Sequence, residues 1–125
     1  MVVVGAEELE RLIKTMFEKA GSEIEEAVMV SSNLVEANLM GHDSHGVGLV
    51  PRYIQNCQNK TLTANAHVSV EQDDGVIIQL HGNMGYGQVI GGEAMRLGIT
   101  RALQLGVSIV ALRNSHHLGY DKRRC

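Results

Sequence analysis

The chain has 125 residues, 44% hydrophobic and 20% charged, which is the balance of a folded globular protein and excludes intrinsic disorder. Lys and Arg number 11 against 14 Asp and Glu, a formal charge of −3 that argues against a broad basic nucleic-acid surface. One Phe, three Tyr and no Trp supply little for base stacking, and no apolar run approaches the ~20 residues of a membrane span.

Met1-Val2-Val3-Val4 is too short for a signal segment, and acidic residues follow it. From Ala6 to Ala20 the apolar residues Leu9, Leu12, Ile13, Met16, Phe17 and Ala20 recur at helical spacing, with Glu7, Glu8 and Glu10 near the positive N-terminal end. Gly21 is a natural stop. Ser22 with Glu25 reads as a capping box opening a second helix, whose face is Ile24, Ala27, Val28, Leu34, Val35 and Leu39 and which Gly41 ends. A short third helix covers Pro51 to Gln55, with Pro51 in its first turn, and Thr61 to Ala66 is a polar connector.

Beyond the connector the period changes from helical to alternating. His67 to Glu71 and Val76 to Leu80 read as strands joined by Asp73-Asp74-Gly75. A Gly-rich loop, Gly82-Asn83-Met84-Gly85-Tyr86-Gly87, leads into a helix from about Gln88 to Leu105, and Val107 to Leu112 has the character of a buried strand. The fold class predicted is α+β. A helical segment over residues 1–60 precedes the opening β-β-α-β of an α/β segment over 61–125, in a sheet that reads as truncated.

Several residues could carry chemistry. The Gly-rich loop fails the dinucleotide fingerprint, because the third glycine position counted from Gly85 and Gly87 is Ile90. No acidic residue closes the next strand, where Leu112 and Arg113 stand, so glycines serving a tight turn and close packing are the simpler reading. His42, Asp43 and His45 are too few for a zinc site, and the other histidines lie far off in sequence. His67 and His81 have surface or packing roles as their default reading.

Ser44-His45 suits acid–base work better, because an imidazole titrates near neutral pH. Adjacent residues seldom form a nucleophile–base pair, which sets aside a serine hydrolase; for Ser44 alone an N-cap role is the competing reading, and for His45 plain exposure. Ser115, His116 and His117 follow a strand end, where α/β proteins place their sites. The competing reading is a polar loop with two solvated imidazoles. Cys57 and Cys125 have neither metal spacing nor a disulfide framework, and two free thiols fit a reducing compartment, most simply the cytoplasm.

Three segments in order carry a resemblance. Gly41-His42-Asp43-Ser44-His45-Gly46-Val47-Gly48-Leu49-Val50-Pro51-Arg52-Tyr53 resembles the Ser-His-Gly signature of the malate/L-lactate dehydrogenase family, which includes L-sulfolactate, ureidoglycolate and diketogulonate reductases. Gly82-Asn83-x-Gly85-x-Gly87-Gln88 and Ser115-x-His117-x-Gly119 resemble its second and third motifs, and Val35-Glu36-Ala37-Asn38 before the first is also similar.

The resemblance implies a non-Rossmann, L-sulfolactate dehydrogenase-like fold, a homodimer, and an oxidoreductase using NAD or NADP to interconvert 2-hydroxy and 2-oxo acids. By position, His45 resembles the general acid that protonates the substrate carbonyl oxygen. Ser44 would bond in the same neighbourhood and His117 would line the pocket. Arg52 is a candidate anchor for the substrate carboxylate, since guanidinium grips carboxylate in a bidentate way, with an exposed helix residue as its plain alternative.

Two departures accompany it. Several members carry an Arg four residues after the signature His, where this chain has Leu49. Members are also well over twice as long, and the ending Tyr120-Asp121-Lys122-Arg123-Arg124-Cys125 leaves their pattern. Little or no turnover is therefore expected of these residues by themselves, and cofactor binding by them is in question. Two readings stay open beside the oxidoreductase: a non-enzymatic truncated isoform or interaction module, and, ranked last, a small metal-binding module.

Overall fold

The computed structural model describes residues 2–118, so Gly119 and Cys125 lie outside the described residues. The chain divides into two compact units, 2–65 and 66–118. Among the described residues no helix is long and apolar enough to cross a membrane.

The first unit is helical, with α1 (Ala6–Lys19), α2 (Ile24–Leu39) and α3 (Val50–Gln58), and two 3-10 turns, Asp43–His45 and Val47–Leu49, precede α3. Pro51 stands in the first turn of α3 as expected, where its missing N–H leaves no helical bond unmade. Phe17, Val30, Leu34, Tyr53 and Leu62 are almost wholly excluded from water, and the Phe17 and Tyr53 rings lie 6.4 Å apart, tilted by 42°. Leu62 corrects the reading of 61–66 as merely polar. The buried stripe of α1 narrows to Ile13 and Phe17, with Leu12 exposed. On α2 the buried residues include Val30, Ser31 and Ala37, whereas Ile24, Val28 and Leu39 face outward.

The capping box is not formed. Gly21, at φ 112°, closes α1 in a Schellman arrangement: its own N–H donates to the Glu18 carbonyl and that of Ser22 to the Phe17 carbonyl. Ser22 is thereby committed to the end of α1, and its buried hydroxyl meets no hydrogen-bond partner. The start of α2 is held from 42 residues away instead. The Glu23 N–H donates to Asn65 Oδ1 at 2.7 Å, Asn65 Nδ2 donates to the Gly21 carbonyl at 2.9 Å, and the Asn65 N–H donates to the Glu26 carboxylate. That last bond gives the buried Glu26 carboxylate a donor, without which burying it would be costly.

The second unit is a three-stranded sheet with one long helix. β1 (Ser69–Asp74) pairs antiparallel with β2 (Ile77–His81), and after α4 (Gly87–Leu105) the strand β3 (Ile109–Arg113) pairs parallel with β2. β1 runs through Asp73 and Asp74, which the sequence reading assigned to the turn. The hairpin loop is Gly75-Val76, with Gly75 at φ 61°, and a bulge falls at Glu71. One sheet face packs Ile78 and Leu80 against Ala94, with Val110 and Leu112 beside them. β3 is not the buried strand expected, because α4 covers only that face and Ile109 on the other is 56% exposed.

Two arginine–carboxylate pairs tie the described residues of this unit. Arg101 donates to both oxygens of Asp73, at 2.5 and 2.7 Å, and to the Gly75 carbonyl, while Arg113 grips Glu71 across the bulge. Hydrogen bonds from Arg101, reinforced by its charge against some desolvation, hold the Asp73 carboxyl below the usual carboxylate range. Arg113 does the same for Glu71. A depressed folded-state value contributes stability above the unfolded-state pKa, and that stability is lost as pH falls through the folded value. Replacing Arg101 with Ala is expected to return Asp73 toward the ordinary aspartate value of about 3.9. The stability gap to the unsubstituted protein should then be open near neutral pH and close in acid. Carboxyl NMR titration and urea melts at both pH values check this; an Asp73 titration unmoved by the substitution would contradict it.

Candidate active site

The first motif sits at the C-terminal end of α2. Gly41, at φ 81°, closes that helix as expected, its N–H donating to the Asn38 carbonyl and that of His42 to the Ala37 carbonyl. The chain then tightens into the 3-10 turn Asp43–His45, in which Ser44 caps nothing. Instead Ser44 Oγ lies 2.9 Å from His45 Nδ1, a hydrogen bond between neighbours that the sequence reading did not expect. Ser44 is exposed and His45 half-buried.

This contact has a chemical consequence. A hydroxyl both donates and accepts, so Ser44 can give its proton to a neutral Nδ1 or take one from a charged imidazolium. His45 can therefore gain or lose a proton without losing this partner. When Ser44 donates, the ring proton of neutral His45 resides on Nε2.

Around this pair the main chain is held by Asn38, from the last turn of α2. Its Oδ1 accepts the Val47 N–H at 2.7 Å and its Nδ2 donates to Asp43 Oδ1 at 2.8 Å. Gly46 makes the approach possible: a Cβ there would lie 2.2 Å from Asn38 Oδ1. Arg52 is exposed in the first turn of α3 and belongs to the same unit as Ser44 and His45. A cleft lined by Met16, Lys19, Ala20, Ile54, Cys57 and Gln58 contains none of the expected site residues.

The second and third motifs meet within the second unit. The Gly82 N–H donates to the Arg113 carbonyl, that of Met84 to the Asn114 carbonyl, and that of His116 to the Gly85 carbonyl, at 2.8, 2.8 and 3.1 Å. A Cβ on Gly82 would lie 3.0 Å from the Asn114 carbonyl oxygen, and one on Gly87 would lie 2.2 Å from that of His117. The glycines thus serve close approach, as their plain reading held, but what approaches is the segment bearing His117. His117 itself is exposed.

His81 also does more than fill a strand end. Its Nδ1 accepts the Asn83 N–H at 2.9 Å, and the Asn114 amide meets Nε2 at 2.9 Å. With Nδ1 accepting, a neutral ring carries its proton on Nε2, so the contact with Asn114 Nδ2 is a hydrogen bond only with that amide turned to present Oδ1. Asn83, at φ 53°, donates from its side chain to the His67 carbonyl at 2.7 Å, so the start of the loop is tied to the chain ahead of β1 as well as to the end of β2. The signal available in the sequence was Asn83 itself, a residue that tolerates the left-handed region.

A nicotinamide dinucleotide would need an exposed main-chain cradle for its pyrophosphate. The space beside Gly82 and Gly87 is filled by residues 114–118 and that beside Gly85 by Ile90, so the Gly-rich loop does not fit that group. No described residue is assigned to it. Among the described residues no three His, Cys, Asp or Glu side chains are grouped to hold a metal ion.

Comparison with known proteins gives a consistent result. A family model described as malate/L-lactate dehydrogenase matches residues 4–122. Hydroxycarboxylate dehydrogenase B of Escherichia coli K12 is 43% identical over 114 residues, 91% of this chain and 32% of that protein. L-sulfolactate dehydrogenase of Methanocaldococcus jannaschii is 31% identical over 118 residues, 94% of this chain and 34% of that one. The structure of malate dehydrogenase from Pyrococcus horikoshii OT3 superposes with a TM-score of 0.87 at 33% identity, covering 94% of this chain and 34% of that one. The chain thus spans about a third of the length of the relatives it matches.

Proposed function

The chain belongs to the malate/L-lactate dehydrogenase family, and from that membership we propose that it supplies the proton-transfer part of an NAD(P)-dependent oxidoreductase interconverting 2-hydroxy and 2-oxo acids. His45 gives a proton to the substrate carbonyl oxygen during reduction and takes it back during oxidation. Ser44 holds His45 Nδ1 through both states. Arg52 pairs with the substrate carboxylate, a role the more needed because Leu49 is apolar, and the role of His117 as a pocket residue rests on the family resemblance alone.

The observation that carries this reading is the 2.9 Å contact between Ser44 Oγ and His45 Nδ1. It fixes the ring while leaving both protonation states bonded, which is what a residue acting as acid in one direction and base in the other requires. Hydride transfer is chemistry the dinucleotide would supply, outside what these side chains can do. The homodimer and the cytoplasmic setting belong to the same proposal and rest on the family resemblance and on the two thiols.

A second reading is a non-enzymatic isoform or interaction module. Titration of the purified 125-residue chain with NADH and NADPH, followed by fluorescence with and without a panel of 2-oxo acids, tests the second reading and the expected inactivity together. No saturable binding and no coenzyme consumption is the expected result. Saturable binding with consumption would show that these residues assemble a working cleft, and would overturn both the second reading and the expected inactivity.

A further inference from the structure

The turn that carries Ser44 and His45 is bracketed by a single side chain, and we infer that Asn38 is a positioning residue for His45. The inference rests on the acid–base reading of that histidine. Asn38 grips the chain on either side of the pair, at the residue before Ser44 and at a residue after His45. Oδ1 takes the Val47 N–H at 2.7 Å and Nδ2 donates to the Asp43 carboxylate at 2.8 Å.

The chemistry of the two partners fixes which end of the amide faces which. A main-chain N–H can only donate, so the carbonyl end faces Val47. A carboxylate can only accept, so the NH2 end faces Asp43. Few side chains of this size meet both demands. Aspartate would accept from Val47 but would set a second negative charge against Asp43, and leucine would leave both partners unmet.

The support for Asn38 is itself rigid. It lies in the last turn of α2, immediately before the Schellman close that hands the chain to His42. Gly46 is buried and shaped to receive it: a Cβ there would lie 2.2, 2.5 and 2.7 Å from Oδ1, Cγ and Nδ2. Helix, amide and glycine therefore fix the path from Asp43 to Val47, with His45 at the centre. The 3-10 bond from the His45 N–H to the His42 carbonyl, at 3.0 Å, completes the turn. Within that turn the Ser44 hydroxyl reaches the neighbouring ring at 2.9 Å.

A charge-conserving exchange tests the inference. Asn38→Asp places two carboxylates together and should open the turn. Adding Asp43→Asn rebuilds the pair with the donor on the opposite side, while the carboxylate introduced at position 38 still accepts from Val47. The readout is nitrogen-15 NMR of the His45 ring in the 125-residue chain, with circular dichroism to confirm the fold. The unsubstituted chain should show one ring tautomer bonded at Nδ1, Asn38→Asp should lose that signature, and the double variant should regain it.

A folded Asn38→Asp chain with the native signature, or a folded double variant without it, would overturn the inference, as would an unsubstituted chain showing averaged tautomers. Should Asn38→Asp alone not fold, the double variant decides. The acid–base reading fails separately, if turnover in an assembled enzyme ignores His45→Ala while the ring signature still follows Asn38.

Discussion

In an enzyme completed by grafting this chain into a full-length relative, replacing His45 with alanine is expected to lower 2-oxo acid reduction about 10²- to 10⁴-fold, the usual contribution of a positioned general acid. The loss should fall on kcat, with the substrate KM nearly unchanged, because the proton is needed as the carbonyl oxygen gains charge and not when the substrate binds. Ser44→Ala should cost less, about two- to tenfold. It removes one hydrogen bond, worth about 0.5–1.5 kcal/mol net, and leaves the imidazole in place. A His45→Ala change that raised KM and spared kcat would mean the ring binds substrate without transferring a proton.

Gly87→Ala should be the most damaging single-methyl addition in the second unit. Alanine is intrinsically the better helix former by about 1 kcal/mol, so propensity alone favours the change. Sterics decide the other way: the new Cβ would lie 2.2 Å from the His117 carbonyl oxygen and 2.4 Å from Leu118 Cα, both main-chain atoms. Either α4 or the 115–118 segment must move, and overpacking of this kind typically costs about 1–3 kcal/mol. A fall in Tm of roughly 5–15 °C is the corresponding result. Gly92→Ala in the same helix is the control, since its Cβ would approach nothing nearer than Arg96 Nη1 at 4.0 Å. It should be neutral or slightly stabilising. Equal melting temperatures for the two variants would refute the packing of the second motif against the third.

How far these residues could be read from sequence depended on the distance between partners. Helix stops at Gly21 and Gly41, the place of Pro51 and the order of strands and helix follow from local patterns, and the structure has them. The cap of α2 does not. Ser22 and Glu25 have the right spacing, but Asn65, 42 residues beyond Glu23, takes the position, and no local window contains that competition. The exposed Ile24, Val28 and Leu39 and the half-covered β3 have a similar origin, because periodicity tells which residues share a face but not what covers it.

The candidate site divides in the same way. Residue type alone drew attention to Ser44 and His45, and the glycines of the second motif were legible as points of close approach. That the approaching chain is residues 114–118 was not, since nothing in Gly82 to Gly87 names a partner so far along the sequence. Asn38 was visible only as part of a resemblance. Its function depends on the Schellman close of α2 turning the chain back past its own last turn, a geometry that one asparagine does not announce.

The most direct measurement is to graft this chain in place of the matching third of Escherichia coli K12 hydroxycarboxylate dehydrogenase B, 43% identical over 114 residues. NADH- and NADPH-driven reduction of 2-oxo acids is then followed with His45 and with His45→Ala. Turnover by the native graft and its collapse with alanine is the expected result. A graft that folds, binds coenzyme and reduces 2-oxo acids equally well with alanine at position 45 would contradict the assignment of proton transfer to this residue.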